Sequence, residues 1–174
     1  GDDWATTARK WRAVQDSAGL LKAVSETSPP KAADSAALLD WYIQLGWQVD
    51  RAHRRFEVAR NDLRILGVLE PSFTTARRVY DQWLDGTLVA FTSAVEKKGF
   101  DVGSIIRQGD IHAKWVRDAA SPVAYVWVDA LRFELGVDLR DGLRADGHTV
   151  DLHAAVGAGP TITPGGRPTL PPAA

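Results

Sequence analysis

The chain has 174 residues, 45% of them hydrophobic and 25% charged, with 21 Lys and Arg against 22 Asp and Glu. That composition suits one globular domain, or one and a piece of another, and excludes wholesale disorder, collagen-like sequence and a net field drawing the chain to nucleic acid or anionic lipid. The absence of cysteine excludes a disulfide scaffold, a thiol nucleophile and thiolate metal ligands, and no apolar run reaches the ~18 residues that suggest a membrane span.

The start, Gly1-Asp2-Asp3-Trp4, has no basic and apolar stretches of a signal peptide. The chain also lacks methionine, which a natural start would place at position 1, so a piece of a longer protein is expected. Trp4, Trp11, Val14, Ala18 and Leu21 predict the apolar side of a first helix, ending before Pro29-Pro30. Leu38, Tyr42, Leu45, Val49, Ala52, Phe56, Ala59 and Leu63 step alternately by four and three. They form one stripe of a long helix starting near Ser35, with Asp34 or Ser35 as its cap. A third helix opens after Pro71, carries Tyr80, Leu84, Thr87, Leu88, Phe91 and Val95, and ends at Gly99. A shorter fourth is predicted from Ser104 to Ala119, with Ile105, Ile106, Trp115 and Val116 as its apolar side. Helices with such stripes pack on each other, which predicts a mainly α fold with an antiparallel helical bundle over residues 1–120.

Near residue 120 the composition changes: the last 54 residues hold 7 of the 15 glycines and 6 of the 9 prolines. Val123-Ala-Tyr-Val-Trp-Val128 is apolar at nearly every position and predicts a strand buried on both faces, the parallel kind. Leu131 to Arg144 reads as a helix with leucines every four residues, stopped by Gly147, and His148 to His153 as a second strand. Residues 121–174 therefore read as the start, β-α-β, of an α/β domain whose further strands lie elsewhere.

Two places are candidates for chemistry. Asp129 stands at the carboxyl end of the predicted strand, where open α/β sheets gather ligands, and its carboxylate suits either a metal or the cap of the helix that follows. In Gly159-Pro-Thr-Ile-Thr163-Pro-Gly-Gly166, two hydroxyls sit in a loop of unusual backbone. That loop reads either as an anion-binding turn or as a plain connector. The four histidines form no metal signature. His53 and the arginines 51, 54, 55 and 60, interleaved with Asp50, Glu57 and Asp62, read as a solvated face laced with pairs such as Asp50–Arg54.

Taken together, Val126-Trp-Val-Asp129-Ala-Leu-Arg132-Phe-Glu134-Leu and Pro160-Thr-Ile-Thr163-Pro-Gly-Gly166 resemble the PglZ family of phage-growth-limitation and BREX defence systems. The family pattern is a hydrophobic strand ending in D-A-L-R-Y/F-E, then P-S/T-x-T-x-x-G-M. Asp129 to Glu134 matches throughout, and Thr161, Thr163, Gly166 and Leu170 match in order. Arg167 replaces the methionine, and Pro168 and Pro171 replace small or apolar residues. Trp47-Gln-Val-Asp50-Arg-Ala-His53-Arg54 is similar, less specifically, to the region preceding the family core. The strong motifs cover roughly residues 121–172, about a third of the chain.

The resemblance implies an alkaline phosphatase-like α/β domain after the bundle, in a bacterial, cytoplasmic, metal-dependent phosphatase or phosphodiesterase. Asp129 is then a metal ligand and Thr163 a metal-activated nucleophile that also touches the metal. Arg132, Glu134, Thr161 and Gly166 have supporting or structural roles. The implied cofactors are divalent ions, zinc with manganese or magnesium as alternatives, in the full-length protein, with none held and no hydrolysis by this piece alone. The implied partners are other subunits of the defence system and an unidentified phosphoester, with no membrane and nucleic-acid contact only indirect. The alternative is a non-catalytic docking module acting through the bundle. Six of the seven tryptophans lie in residues 1–120, more than a small core usually holds.

Overall fold

The computed structural model describes residues 2–63 and 67–157. The chain is mainly helical and divides into two compact units, residues 1–100 and 101–174. No helix among the described residues is long and apolar enough to cross a membrane.

The first unit is built from α1 (Asp2–Glu26), α2 (Ser35–Trp41), α3 (Trp47–Asn61) and α4 (Glu70–Lys98). Asp34 caps α2: its backbone is extended and its Oδ1 accepts from the Ala37 amide at 3.0 Å. Ser35, fully buried, donates its hydroxyl to the Gly99 carbonyl at 3.4 Å and so ties the start of α2 to the end of α4. Pro71 occupies the first turn of α4, where a missing amide costs nothing. Gly99 ends the helix at φ 81°, a conformation that disfavours a side chain.

α2 and α3 are one continuous path through a π-helical turn, Tyr42–Gly46, in which the Trp47 amide donates to the Tyr42 carbonyl five residues back. The regular spacing places Leu45 inward, yet Leu45 is 50% exposed and Gly46 is buried in its place. A π turn advances less per residue than an α turn, so the inward position slips by one. Beyond it the stripe resumes, and Val49, Phe56 and Ala59 are buried as expected.

The core joins Ala13 and Leu20 of α1, Val49, Phe56 and Ala59 of α3, and Phe73, Ala76, Tyr80 and Trp83 of α4. Phe56 meets Phe73 edge-on at 5.6 Å. The Trp83 indole donates to the Thr27 carbonyl at 2.8 Å, and Tyr80 reaches Asp50 near the start of α3. α1 therefore ends where α3 begins, and both α1 and α4 run against α3. The face α1 buries is not the predicted one. Ala13, Ser17 and Leu20 turn inward, while Trp4, Trp11, Ala18 and Leu21 face out. Ala13 and Leu20 pack in one cluster with Phe56, Phe73 and Trp83.

The second unit contains β1 (Ile106–Arg107), α5 (Ile111–Trp115), α6 (Phe133–Ala145) and β2 (Ala155–Val156). The predicted helix over 104–119 is replaced by β1, a 3-10 turn and the five-residue α5. Asp101 accepts from the amide of Gly103, whose φ is 58°, and the β-branched pair Ile105-Ile106 enters extended backbone. Among the described residues the β structure is a parallel ladder pairing Ile106 with Ala155 and Arg107 with Val156. The two predicted strands, 123–128 and 148–153, are outside it. Residues 123–128 are not hydrogen-bonded into a sheet and Val126 is 75% exposed, since a strand apolar on both faces needs neighbours on both sides.

α6 follows the expected span. It buries Glu134, Gly136 and Val137 and leaves Leu131 and Leu139 outside. Its end is a Schellman motif in which His148 N donates to Leu143 O and Gly147 N to Arg144 O, with Gly147 at φ 87°.

A Cβ added at Gly46 lies 2.9 Å from Tyr42 Cδ2 and 3.1 Å from the Trp41 ring, while one at Gly86 meets nothing within 4 Å. Gly46→Ala is expected to destabilise the protein by about 1–3 kcal/mol. Gly86→Ala in mid-helix is expected to stabilise it by up to about 1 kcal/mol. Urea unfolding followed by circular dichroism checks both signs.

Candidate functional site

Asp129 and Ala130 form a turn, and Ala130 adopts φ 54°, a left-handed conformation uncommon for a residue with a Cβ. The Arg132 amide closes the turn on the Ala130 carbonyl at 2.9 Å. Asp129 is exposed and its Oδ1 accepts from the Ala130 amide at 3.1 Å. Of the two sequence readings of Asp129, capping is not the one the geometry realises. The N-cap position of α6 belongs to Arg132, whose extended backbone enters the helix without a side-chain cap.

Glu134, in the first turn of α6, is 0% exposed, and Arg132 Nη2 lies 2.8 Å from its Oε1. A carboxylate buried so completely requires a counter-charge, and the arginine that supplies it is the residue joining the turn to the helix. Arg132 and Glu134 thus connect the turn of Asp129 to the packed face of α6. On the other side of α6, Gly136 lets Leu152 approach. A Cβ there lies 3.3 Å from Leu152 Cδ1, and Arg144 donates twice to the Val150 carbonyl, at 2.6 and 3.2 Å.

Thr161, Thr163 and Gly166 lie outside the described residues. Among the described residues no group of three or more His, Asp or Glu side chains could hold a metal ion. Asp129 supplies one oxygen donor of a kind suited to a hard or borderline cation. Two histidines of the second unit stand against aromatic rings: His112 is 6.0 Å from Tyr125, and His153 stacks on Trp115 at 5.0 Å.

The first unit contains a polar cluster that the sequence reading takes for a solvated face. Asp50 accepts from the Tyr42 hydroxyl at 2.5 Å and from the Tyr80 hydroxyl at 2.8 Å. His53 is partly buried and lies flat on the Tyr80 ring, with centroids 3.6 Å apart and planes 2° from parallel. Its Nε2 is 3.7 Å from Glu57, which Arg77 of α4 clamps with two hydrogen bonds of 2.6 and 2.9 Å. Asp50, His53 and Glu57 step by three and four along one helix face. That spacing is the one signal by which the cluster was visible beforehand. Its identity as a half-buried seam between two helices depended on Tyr80 and Arg77, which come from another helix.

Burial pushes the His53 imidazole below its ordinary 6.5, against the opposing pull of Glu57 and Asp50. Neutral His53 makes no ion pair with Glu57 at pH 7, and Arg77 answers that charge instead. The unfolded chain takes up the His53 proton below about pH 6.5, while the folded chain resists it until lower pH. Stability associated with this residue is therefore present above pH 6.5 and lost as pH falls towards the folded value. Melting temperatures between pH 8 and pH 5 are expected to decline on the acid side, and His53→Phe to flatten that decline. An unchanged slope in the variant assigns the decline to other groups.

Comparisons with protein-family models, with curated proteins and with solved structures find no match to this chain.

Proposed function

We propose that this chain is the N-terminal part of a PglZ-like, metal-dependent phosphatase or phosphodiesterase of a bacterial antiphage defence system. In this reading it acts in the cytoplasm beside other subunits of that system, with a helical unit preceding the start of an alkaline phosphatase-like domain. The observation that carries the reading is the placement of the motif carboxylate. Asp129 is presented on an exposed turn with a left-handed residue beside it, rather than used to cap the helix it precedes. Backbone in such sparsely populated conformations clusters at ligand and active sites. The buried Glu134 and its Arg132 partner support the same reading, because they anchor the start of the helix that follows the turn.

In this reading Asp129 provides an oxygen ligand and Thr163 the attacking hydroxyl. Arg132 and Glu134 hold the turn in place, and Thr161 and Gly166 shape the loop around the nucleophile. Divalent ions such as zinc, manganese or magnesium supply the charge that lowers the hydroxyl pKa and stabilises phosphoryl transfer. The remaining donors of a two-metal site are not among the described residues.

The test is hydrolysis of nitrophenyl phosphate mono- and diesters by the full-length protein with added Zn²⁺ or Mn²⁺. Asp129→Ala and Thr163→Ala are each expected to reduce the rate to background. Glu134→Gln is expected to lower metal affinity by about tenfold to a hundredfold, as the loss of a supporting partner does. Full activity in either alanine variant overturns the site assignment.

A further inference from the structure

We propose that the cleft between α1 and α3 binds a free α-amino acid with an apolar side chain. The inference uses residues of the first unit alone and stands apart from the phosphoester reading. The cleft has a volume of about 270 Å³ and carries both signs of charge, Asp16 from α1 and Arg51 and Arg55 from α3. Among the described residues, the ion pair of Asp16 is with Arg12 of its own helix, at 3.9 Å, rather than with the arginines across the cleft. Opposite charges on facing helices thus line one space, and a zwitterion answers both.

The order of the lining residues says where each end of the ligand goes. Because α1 ends where α3 begins, the two helices run antiparallel. Asp16 and Arg55 therefore stand at one end of the cleft, Gly19 and Arg51 midway, and Ala23 and Trp47 at the other end. Both charges are wanted together and the apolar body beyond them. An α-amino acid has that layout, since its ammonium and carboxylate share one carbon and its side chain leads away towards Trp47. At the roughly 30 Å³ that a water takes up in the liquid, the cleft equals about nine waters, enough for leucine or phenylalanine and too little for a peptide.

Two features prepare the cleft for such a ligand. The Arg51 guanidinium lies over the Trp47 ring, 5.5 Å from its centroid, which holds it against the wall of the cleft. A guanidinium has five N–H donors in a planar fork, so a partner on one edge leaves others to donate to a carboxylate. The second feature is Gly19. Glycine in mid-helix is less stable than alanine, and close packing does not require it here: a Cβ at Gly19 meets nothing within 4 Å. Its missing side chain leaves the cleft open.

The experiment is calorimetric titration of the full chain with L-phenylalanine and L-leucine, beside phenylpropionate, which lacks the ammonium, and phenethylamine, which lacks the carboxylate. Both amino acids are expected to bind saturably, and both analogues at least about tenfold more weakly, because each leaves a charged group of the cleft unanswered. Arg55→Gln is expected to weaken phenylalanine by about tenfold to a hundredfold, as the loss of a hydrogen bond between charged groups does. Asp16→Asn is expected to weaken phenylalanine similarly while phenylpropionate, which has no ammonium to hold, binds no more weakly than before. Gly19→Leu is expected to abolish binding without lowering the melting temperature, since leucine favours a helix more than glycine does.

The proposal is overturned if neither amino acid saturates the chain, or if a folded Gly19→Leu variant binds phenylalanine unchanged. Phenylpropionate that binds as tightly as phenylalanine, with Asp16→Asn without effect, makes the cleft a plain anion site. Phenethylamine that binds as tightly as phenylalanine, with Arg55→Gln without effect, makes it a cation site. Either result also overturns the amino acid as occupant.

Discussion

The organisation of the first unit turns on one carboxylate. Asp50 accepts hydrogen bonds from Tyr42, on the π turn preceding its own helix, and from Tyr80, on the helix packed against it. Hydrogen bonds to a charged acceptor are each worth about 1.5–3 kcal/mol, more than a neutral pair. They are also directional, and apolar packing is not. The bond to Tyr42 holds its ring over Gly46 and so keeps the wide turn in the one position where a side chain does not fit. The bond to Tyr80 sets the height of α4 against α3. From that height follow the Phe56–Phe73 contact, the stacking of His53 on Tyr80 and the meeting of Trp41 with Trp83 at 6.2 Å. Glu57 and Arg77 form a second polar bridge on the same seam.

The second unit is organised differently. Its packed element is α6, which buries Glu134, Gly136 and Val137, and its parallel ladder is two residues long. The run from Val123 to Val128, the most strand-like segment of the chain, stands exposed. A run apolar on both faces is stable in a sheet only with strands beside it and cover above and below. The turn after this run is nevertheless formed, with the Arg132 amide donating to the Ala130 carbonyl and the Ala130 amide to Asp129 Oδ1.

Much of this was legible beforehand where local chemistry decides. Asp34 as a cap, Pro71 at a helix start, and Gly99 and Gly147 at helix ends each act within a few residues, and each does what its covalent structure predicts. The alternating fours and threes from Leu38 to Leu63 located the long helix correctly. Leu45 failed because a π turn is not encoded in periodicity: the wider turn over Tyr42–Gly46 shifts the phase of the residues within it. His53 failed for a related reason. Flanked by arginines in sequence, it looked solvated, and only the ring of Tyr80, from the neighbouring helix, buries it. For the candidate site, the motif from Asp129 to Glu134 was readable as a string. Whether its carboxylate caps a helix or faces solvent was not, because that depends on the backbone of Ala130.

The sequence by itself determined the main helices of the first unit and α6, with the residues that cap and end them, and that the composition changes near residue 120, but not the break-up of 104–119. Hydrogen bonds and side-chain preferences within one or two turns decide those properties. Only the tertiary structure decided which face of α1 is buried. Two apolar-compatible faces compete there, and the one carrying Ala13, Ser17 and Leu20 is buried against the residues that α3 and α4 bring to it. It likewise decided that Asp50 is a clamp rather than a surface charge, and that Asp129 faces outward while Glu134 faces in. A residue's helix position is set by its neighbours in the chain, but its burial is set by whatever other elements bring against it.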